Sequence, residues 1–521
     1  MKKHYFVLIS TALLFFGCSS SNEDPPVVNP PETPDNTAPS ITLLGLEAVV
    51  EVLTTLNITV TDNSDNVTSS VLVDGTEVFS SSQKQFSYEL DPFDFLDGEH
   101  EISIESVDDS ENKGMALDTF ESKKLLFAVT TTDFNSDLID LFFSLHSLEG
   151  KLIEYRNVAI SAEELHFYAP DNFKRQSFIA SEIVLGKNGF EFDVITSYAD
   201  IVPGTNETEI QNARANEFPN YSGIKRDGSF SLGIMDTDFT PFGLFSTNYS
   251  TIRTFRGATS SSFDFEYDTT ATQNIFIYTL PINSRNLDEY SYFILDDFKD
   301  QTISLNDFEL PPQTNTVNLP AGSLNFNFSL RGFANEAGFN NNNFNQIVNF
   351  AGNPSDFNNT MELPVIDAYN VVQQRLNIQL DNKRSIESWF KGFGDIVIPG
   401  WSVSRAGNEV SISADYVRSS FRLDFERPGS TGSSPLAPFI WSFTNRPNTT
   451  VSIPFGSMEI PEEVANNLLA KGFDLTNMDS PDKLTFTLYT FEEETSYEEL
   501  IFNFYTNQRG DQTFMTFDIN D

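Results

Sequence analysis

"LNITVTDNSDNVTSSVLVDGTEVF", Leu56 to Phe79, is the stretch on which the fold turns. Leu56, Ile58 and Val60 alternate with polar residues, so all three project from one side of an extended chain. Two further runs, "SVLV" and "TEVF", flank Asp74-Gly75. That dipeptide suits a two-residue hairpin, because both central residues of a type I′ turn need positive φ. Downstream, "FSYEL" alternates Phe86, Tyr88 and Leu90, and "HEISIESV" alternates Ile102 and Ile104 before Val107. Roughly seven short strands in about ninety residues, broken by turn-rich segments, predict a small β-sandwich.

The same region carries a resemblance. "TAPSITLL", "ITVTDNSDNVTSSVLVDG" and "LDGEHEISIESVDDSENKG" resemble bacterial Ig-like domains of surface proteins, over about residues 37–124. The resemblance implies a sandwich that serves as a spacer or binds a partner, and it places His100 in a structural turn. Fold likeness alone does not choose between those roles.

Upstream lies the only cysteine of the 521 residues. Lys2 and Lys3 precede the apolar run Tyr5 to Phe16, which is too short for a stable membrane span and fits an export signal. Gly17-Cys18 at its end resembles the lipobox of bacterial lipoproteins, which implies a signal peptide over 1–17 and acylation of Cys18. The alternative is an ordinary secretory leader that removes Cys18. Residues 18–36 are acidic and proline-rich, the composition of an extended tether. Glu23 and Asp24 resemble the acidic signal that exports Bacteroidota lipoproteins to the cell surface. Together these imply an outer-membrane lipoprotein facing the exterior, held by acyl chains at Cys18.

Composition narrows the partners. The net charge is −44, from 75 acids against 31 Lys and Arg. Such a chain repels nucleic acid and bare anionic membrane. With no second cysteine, stability rests on apolar burial without disulfides, and 50 Phe supply much of that surface.

Beyond Leu125 the text remains β. "SSFDFEYD", "SLNFNFSLRGF", "FRLDFE" and "LTFTL" alternate apolar with polar residues, which predicts antiparallel sheets exposed on one side. Ala406-Gly407-Asn408 reads as a hairpin turn. "IPEEVANNLLAKGF" predicts a helix, with Pro461 and acids at its start, Gly472 at its end, and Val464, Leu468 and Leu469 on one face. "SIESWF" reads as a second short helix. The proline-containing Leu310–Gly322 predicts a boundary, giving β-rich domains at 125–310 and 321–521. The fold class is therefore mainly β: an Ig-like sandwich followed by one or two larger antiparallel domains.

Catalytic signatures are scarce. His146 and His166 have no partners at metal spacing, and no metalloprotease, phosphate-loop or nucleophile-elbow motif occurs. A glycan hydrolase would need a carboxylate pair, but 75 acids single out none. Calcium is the sharper expectation. The loops "DNSDN" and "DDSEN" would meet at one end of a sandwich, bringing Asp62, Asp65, Asp108, Asp109 and Glu111 together as oxygen ligands. The competing reading is plain turn chemistry. Glycan binding would use stacking on Trp389, Trp401 and Trp441, two of which flank "WFKGFGDIVIPGW". Core packing is the alternative for each. "NNNNFNQ", Asn340–Gln346, is a candidate recognition loop. The reading is a non-catalytic surface lipoprotein capturing extracellular glycan beside an outer-membrane transporter. An adhesion or assembly protein that binds another protein is the alternative.

Overall fold

The structure, a computed structural model, describes residues 35–130, 137–158, 164–188, 193–206, 225–232, 239–240, 261–268, 275–281, 287, 290–295, 301–320, 324–340, 344–353, 358–395, 397–427, 437–452, 458–473, 481–491, 497 and 511–520. The leader, Cys18, nearly all of the tether and the centre of the asparagine run lie outside them. The chain divides into two compact units, the first essentially Thr54–Leu90 and Glu99–Phe120 with the residues before Ala48.

The first unit is built from β1 (Ser40–Leu44), β3 (Thr54–Thr61), β4 (Val67–Val73), β5 (Thr76–Ser81), β6 (Gln85–Leu90), β7 (Gly98–Asp108) and most of β8 (Lys113–Ser122). One sheet has the order β1-β3-β6, the other β8-β7-β4-β5. Asp74 and Gly75 turn the β4–β5 hairpin with φ of 50° and 75°, the two positive values a type I′ turn requires. Leu56, Ile58 and Val60 are buried, as are Val71, Val73, Ile102 and Ile104, so each sheet turns one face inward. Gly114 has no room for a side chain: a Cβ there would lie 1.9 Å from the Pro39 carbonyl oxygen.

The second unit opens with β2 (Val49–Val50), which pairs in parallel with Glu121 and Ser122. Its next strands are β9 (Leu125–Thr130), β10 (Ile139–His146), β11 (Leu152–Val158), β12 (Glu164–Tyr168), β13 (Phe178–Gly186), β14 (Asp193–Ile201) and β15 (Thr205–Asn206). The middle part holds β16 (Lys225–Leu232), β17 (Phe239–Thr240), β18 (Ser261–Asp268), β19 (Ile275–Pro281), β20 (Ser291–Leu295), β21 (Gln301–Ile303) and β22 (Gln313–Asn318). Then come β23 (Asn325–Phe333), β24 (Asn345–Gly352), β25 (Thr360–Val365), β26 (Val371–Gln379), β27 (Arg384–Lys391), β28 (Ser402–Ala406) and β29 (Glu409–Ser413). The last are β30 (Arg418–Phe425), β31 (Phe439–Asn445), β32 (Thr450–Ser452), β33 (Lys483–Phe491) and β34 (Gln512–Asp518).

A twelve-stranded sheet unites this unit, in the order β11-β10-β13-β14-β31-β30-β33-β34-β27-β26-β23-β24. β14 and β31 pair in parallel, which joins chain segments far apart in sequence. This corrects the expected boundary at 310–322. Gln313–Asn318 is a strand paired with β25, and four strands of the first expected domain join eight of the second in one sheet, the two blocks meeting where β14 pairs with β31. Proline there marks strand ends rather than a linker.

One face of the sheet is mainly apolar, with a few buried polar residues such as Ser181 and Ser197 among the rings. Phe443, Phe421, Phe486 and Phe517 form a cross-strand row. The β28-β29-β32 sheet covers this part with Val410, Ile412 and Val451, and the helix Glu462–Ala470 adds Val464 and Leu468. Leu469 departs from expectation: it is exposed, because its direction lies off the buried stripe. β22 and β25 cover the far part with Val317, Met361 and Leu363. On the opposite face, β9 and β12 cover β10 and β13. "SIESWF" is not a helix but β27, since its period-2 burial pairs with β26 and β34.

Candidate functional site

Two groupings carry chemistry. In the first unit, carboxylate oxygens of Asp35, Asp62 and Asp108 lie within 4.8 Å of one another. Asp62 and Asp108 stand on the two loops expected to meet. Asp108 is buried and folds its loop around itself: its Oδ1 accepts from the Ser110 and Asn112 amides, both at 2.8 Å, and its Oδ2 from Asn112 Nδ2 at 2.8 Å. Asp62 Oδ1 accepts from the Ser64 amide at 2.7 Å, while its buried Oδ2 has no hydrogen-bond partner. Asp35 accepts from the Thr37 amide at 2.9 Å and Ser64 Oγ at 3.1 Å. The Thr37 amide, with help from Asn63 and Ser64, holds the Asp35 carboxyl below its ordinary value. Lys84 Nζ ties the loop by its carbonyls, donating to Asp62 O at 3.2 Å and Ser64 O at 2.5 Å.

The pattern corrects the expected ligand set. Asp65, Asp109 and Glu111 are exposed and outside the group, and Asp109 instead accepts from Asn66 Nδ2 at 2.8 Å. Asp35, from the end of the segment expected to be a tether, takes their place. No local signal in the sequence points to it, because it arrives by a contact with Asn112 across 77 positions. The three oxygens suit a hard divalent cation: a buried carboxylate oxygen without a donor is costly, and calcium accepts such ligands.

The second grouping lies on the other face of the large sheet. Ser329, Arg375, Trp389 and Gln512 form one cross-strand row. Asn327, Asn377, Glu387, Phe514, Tyr489 and Arg418 form the next. Arg331, Gln373 and Lys391 form a third, on the far side of the first. Arg375 stacks on Trp389 at 3.5 Å from the ring centroid, Trp389 meets Phe514 edge-on at 6.0 Å, and Phe514 meets Tyr489 at 5.0 Å. Arg418 closes the line over Tyr489 at 4.1 Å. Phe514 and Tyr489 remain part-exposed.

The three tryptophans do not form the expected platform. Trp441 is 1% exposed and sits in the apolar core, donating its indole N–H to Ser197 Oγ at 3.0 Å. Trp389 is 7% exposed, capped by Arg375, and donates to Glu387 Oε1 at 2.6 Å. Trp401 is partly buried against the same core as Trp441. Trp441 and Trp401 pack against the apolar core, where large rings bury more apolar area than they could gain at a surface, whereas Trp389 is in the outward phase and lies beneath Arg375. The described part of the asparagine run is no recognition loop either: Asn345 is buried and donates to Tyr369 OH at 2.8 Å, and Gln346 donates to the Leu330 and Val348 carbonyls. Sequence reading missed Phe514 and Tyr489. The signal was present: each is an aromatic in the outward phase of a strand whose inward phase is already filled, by Leu484, Phe486 and Leu488 in β33 and by Met515 and Phe517 in β34.

The described histidines, His100, His146 and His166, hold structural contacts. His100 Nδ1 bonds Asp74 Oδ2 at 2.6 Å beside the hairpin turn, and His166 Nε2 lies 3.1 Å from Glu164. His146 is buried and donates from Nε2 to the Glu459 carbonyl at 2.8 Å.

Fold and site define a mainly β chain with an N-terminal Ig-like sandwich and a larger antiparallel unit that bears a polar, aromatic sheet face. No family model matches it, and no curated protein matches it. Among solved structures it is similar to fibronectin(III)-like modules of Clostridium thermocellum CbhA, at 24% identity over 16% of this chain and 92% of that one, with a TM-score of 0.13. It is also similar to the Bacteroides ovatus mixed-linkage glucan utilization locus protein SGBP-B in complex with a mixed-linkage heptasaccharide. The identity there is 11%, over 58% of this chain and 84% of that one, with a TM-score of 0.15. A 1.5-MDa bacterial ice-binding adhesin gives 11%, 52%, 100% and 0.16 in the same terms. TM-scores this low transfer neither shape nor function to this chain.

Proposed function

We propose that the chain is a non-catalytic extracellular binding protein that captures glycan on the polar, aromatic face of its large sheet. The observation that carries this reading is the outward-phase line of Arg375, Trp389, Phe514, Tyr489 and Arg418, bordered by Asn327, Asn377, Gln373 and Gln512. Sugars offer apolar faces to part-exposed rings and hydroxyls to amides, and both kinds of partner stand here on strands rather than on loops. The protein would be held at the outer membrane by acyl chains on Cys18, face the exterior and deliver glycan to a transporter. Among the described residues no helix is long and apolar enough to cross a membrane. Calcium at Asp35, Asp62 and Asp108 would pin the end of the tether to the first unit.

A glycan array followed by titration calorimetry tests the reading. Phe514→Ala and Tyr489→Ala should each weaken glycan binding several-fold without unfolding the protein, and an array blank across neutral and acidic glycans removes the proposal. Cys18→Ser tests the anchor: it should move the protein from the envelope fraction to the soluble one. A second reading, capture of a protein partner, is favoured by Val397, 75% exposed beside the exposed Ile398 in the loop after β27. Loss of a co-purified protein partner in Val397→Asp, with glycan binding absent, would support it instead.

A further inference from the structure

Arg331 is the least compensated charge on the polar sheet face. It projects from β23 in the row beside Arg375, and its guanidinium stacks on Phe344 at 3.9 Å from the centroid. Its Nε is buried without a hydrogen-bond partner, and among the described residues no carboxylate pairs with it. Burial first, and then the like charge of Arg375, push the Arg331 group down to about 8. Burial likewise pushes Arg375 down to about 10, with Glu387 opposing, and Arg375 Nε donates only to Gln373 Oε1, at 3.0 Å. Arginine gives up its proton with great reluctance, so both sites hold cations at a cost to the fold. One row away, Gln512 is 2% exposed, and neither its amide oxygen nor its nitrogen has a partner. Gln512 and Arg375 flank Trp389 on adjacent strands, so they stand about 10 Å apart, twice the strand spacing. That span matches one or two sugar rings.

We infer that the Arg331–Arg375 pair is an anion subsite, and that the glycan held on this face carries a carboxylate or sulfate group. The inference rests on the glycan reading above. A planar guanidinium presents two parallel N–H groups that match either anion, and stacking on Phe344 and Trp389 fixes the two planes before the ligand arrives. An incoming anion would supply the acceptor that Arg331 lacks and remove the repulsion between the two cations. The chain as a whole carries −44, so its long-range field opposes anions, and capture would come from the local field of this pair.

The test is calorimetry of the full chain with three tetrasaccharides: galacturonic acid, sulfated galactose and neutral glucose. Binding of an anionic tetramer over the neutral one is expected, and the first two arms tell carboxylate from sulfate. Arg331→Met and Arg375→Gln should each weaken it at least about tenfold. Arg331→Met should hold or raise the melting temperature, because it removes a buried cation without a partner. Arg331→Lys, which keeps the charge but loses the planar fork, should also bind more weakly. Neutral glucose bound as tightly as both anionic tetramers, or anionic binding unchanged in the folded Arg331→Met and Arg331→Lys variants, overturns the inference and leaves the glycan reading standing. No binding of any tetramer overturns the inference, and a blank wider array then removes the glycan reading too.

Discussion

Trp441 donates its indole N–H to Ser197 Oγ at 3.0 Å, across a separation of 244 positions. The two residues belong to β31 and β14, whose parallel pairing joins the two ends of the large sheet's chain. Ser197 is also bonded to Ser181 Oγ at 2.8 Å, so the contact extends a buried polar row into β13. Trp441→Ala should cost about 3–5 kcal/mol, the usual range for emptying an aromatic core position. Trp441→Phe should cost less and leave glycan affinity unchanged, because the ring faces the core. Urea denaturation and calorimetry on the same samples check both halves; reduced affinity in a fully folded Phe variant would restore Trp441 to the binding surface.

Asp193 holds the same junction by charge. Its Oδ1 accepts from Lys471 Nζ at 2.5 Å and from the Gly186 amide at 3.1 Å, and its Oδ2 from Arg427 NH2 at 2.8 Å. Lys471 follows the helix Glu462–Ala470, so the carboxylate fastens that helix to the start of β14. Asp193→Ala leaves two part-buried cations without their counter-charge and should cost about 3–5 kcal/mol. Lys471→Met in the same chain should recover part of the loss, and a double-mutant cycle measures the coupling. Strictly additive effects would show that the pair does not act as a unit.

His146 makes stability depend on pH. Burial lowers its affinity for a proton below the ordinary 6.5, against a smaller opposing contribution from the Glu459 carbonyl. The unfolded chain therefore takes up a proton near 6.5, and the folded chain only at lower pH. Between those values the unfolded state binds more protons, so unfolding becomes easier as pH falls. This contribution is complete above 6.5 and is lost as pH drops through the lowered value. Chemical denaturation between pH 7.5 and 5 should show the decline, and His146→Leu should flatten that part of the profile.

The acidic cluster predicts a response to calcium in the first unit. Millimolar calcium should stabilise that unit, by about 2.7 kcal/mol once the free ion reaches about 100 times Kd, and so raise its unfolding temperature. Asp62→Asn should abolish the gain, since Asp62 Oδ2 is the oxygen without a donor. Asp65→Asn should not, because Asp65 stands outside the cluster. An unchanged melt with calcium and with chelator would reduce the three carboxylates to turn chemistry.

Strand texture was legible residue by residue. The alternation at Leu56, Ile58 and Val60, the Asp74-Gly75 turn, the Gly407 hairpin and the inward phase of β33 all follow from the period of an extended chain, which needs only near neighbours to be read. "SIESWF" misled because six residues with one acid and an aromatic pair satisfy a helical turn as well as a strand; its pairing with β26 and β34 settles it. The outward aromatics Tyr489 and Phe514 were visible too, as rings in the wrong phase for the core.

Partnership is another matter. Asp35 beside Asp108, Arg331 beside Arg375, and Ser197 beside Trp441 are set by which strand lies next to which. Alternation specifies a face and is silent about the neighbour, since any strand of matching pattern offers the same backbone hydrogen bonds. The chain's own text therefore established a sheet-built molecule with polar outer faces. Folding in three dimensions chose the neighbours, because long-range pairing is won by the total burial of a whole sheet, a quantity that no short window of residues contains.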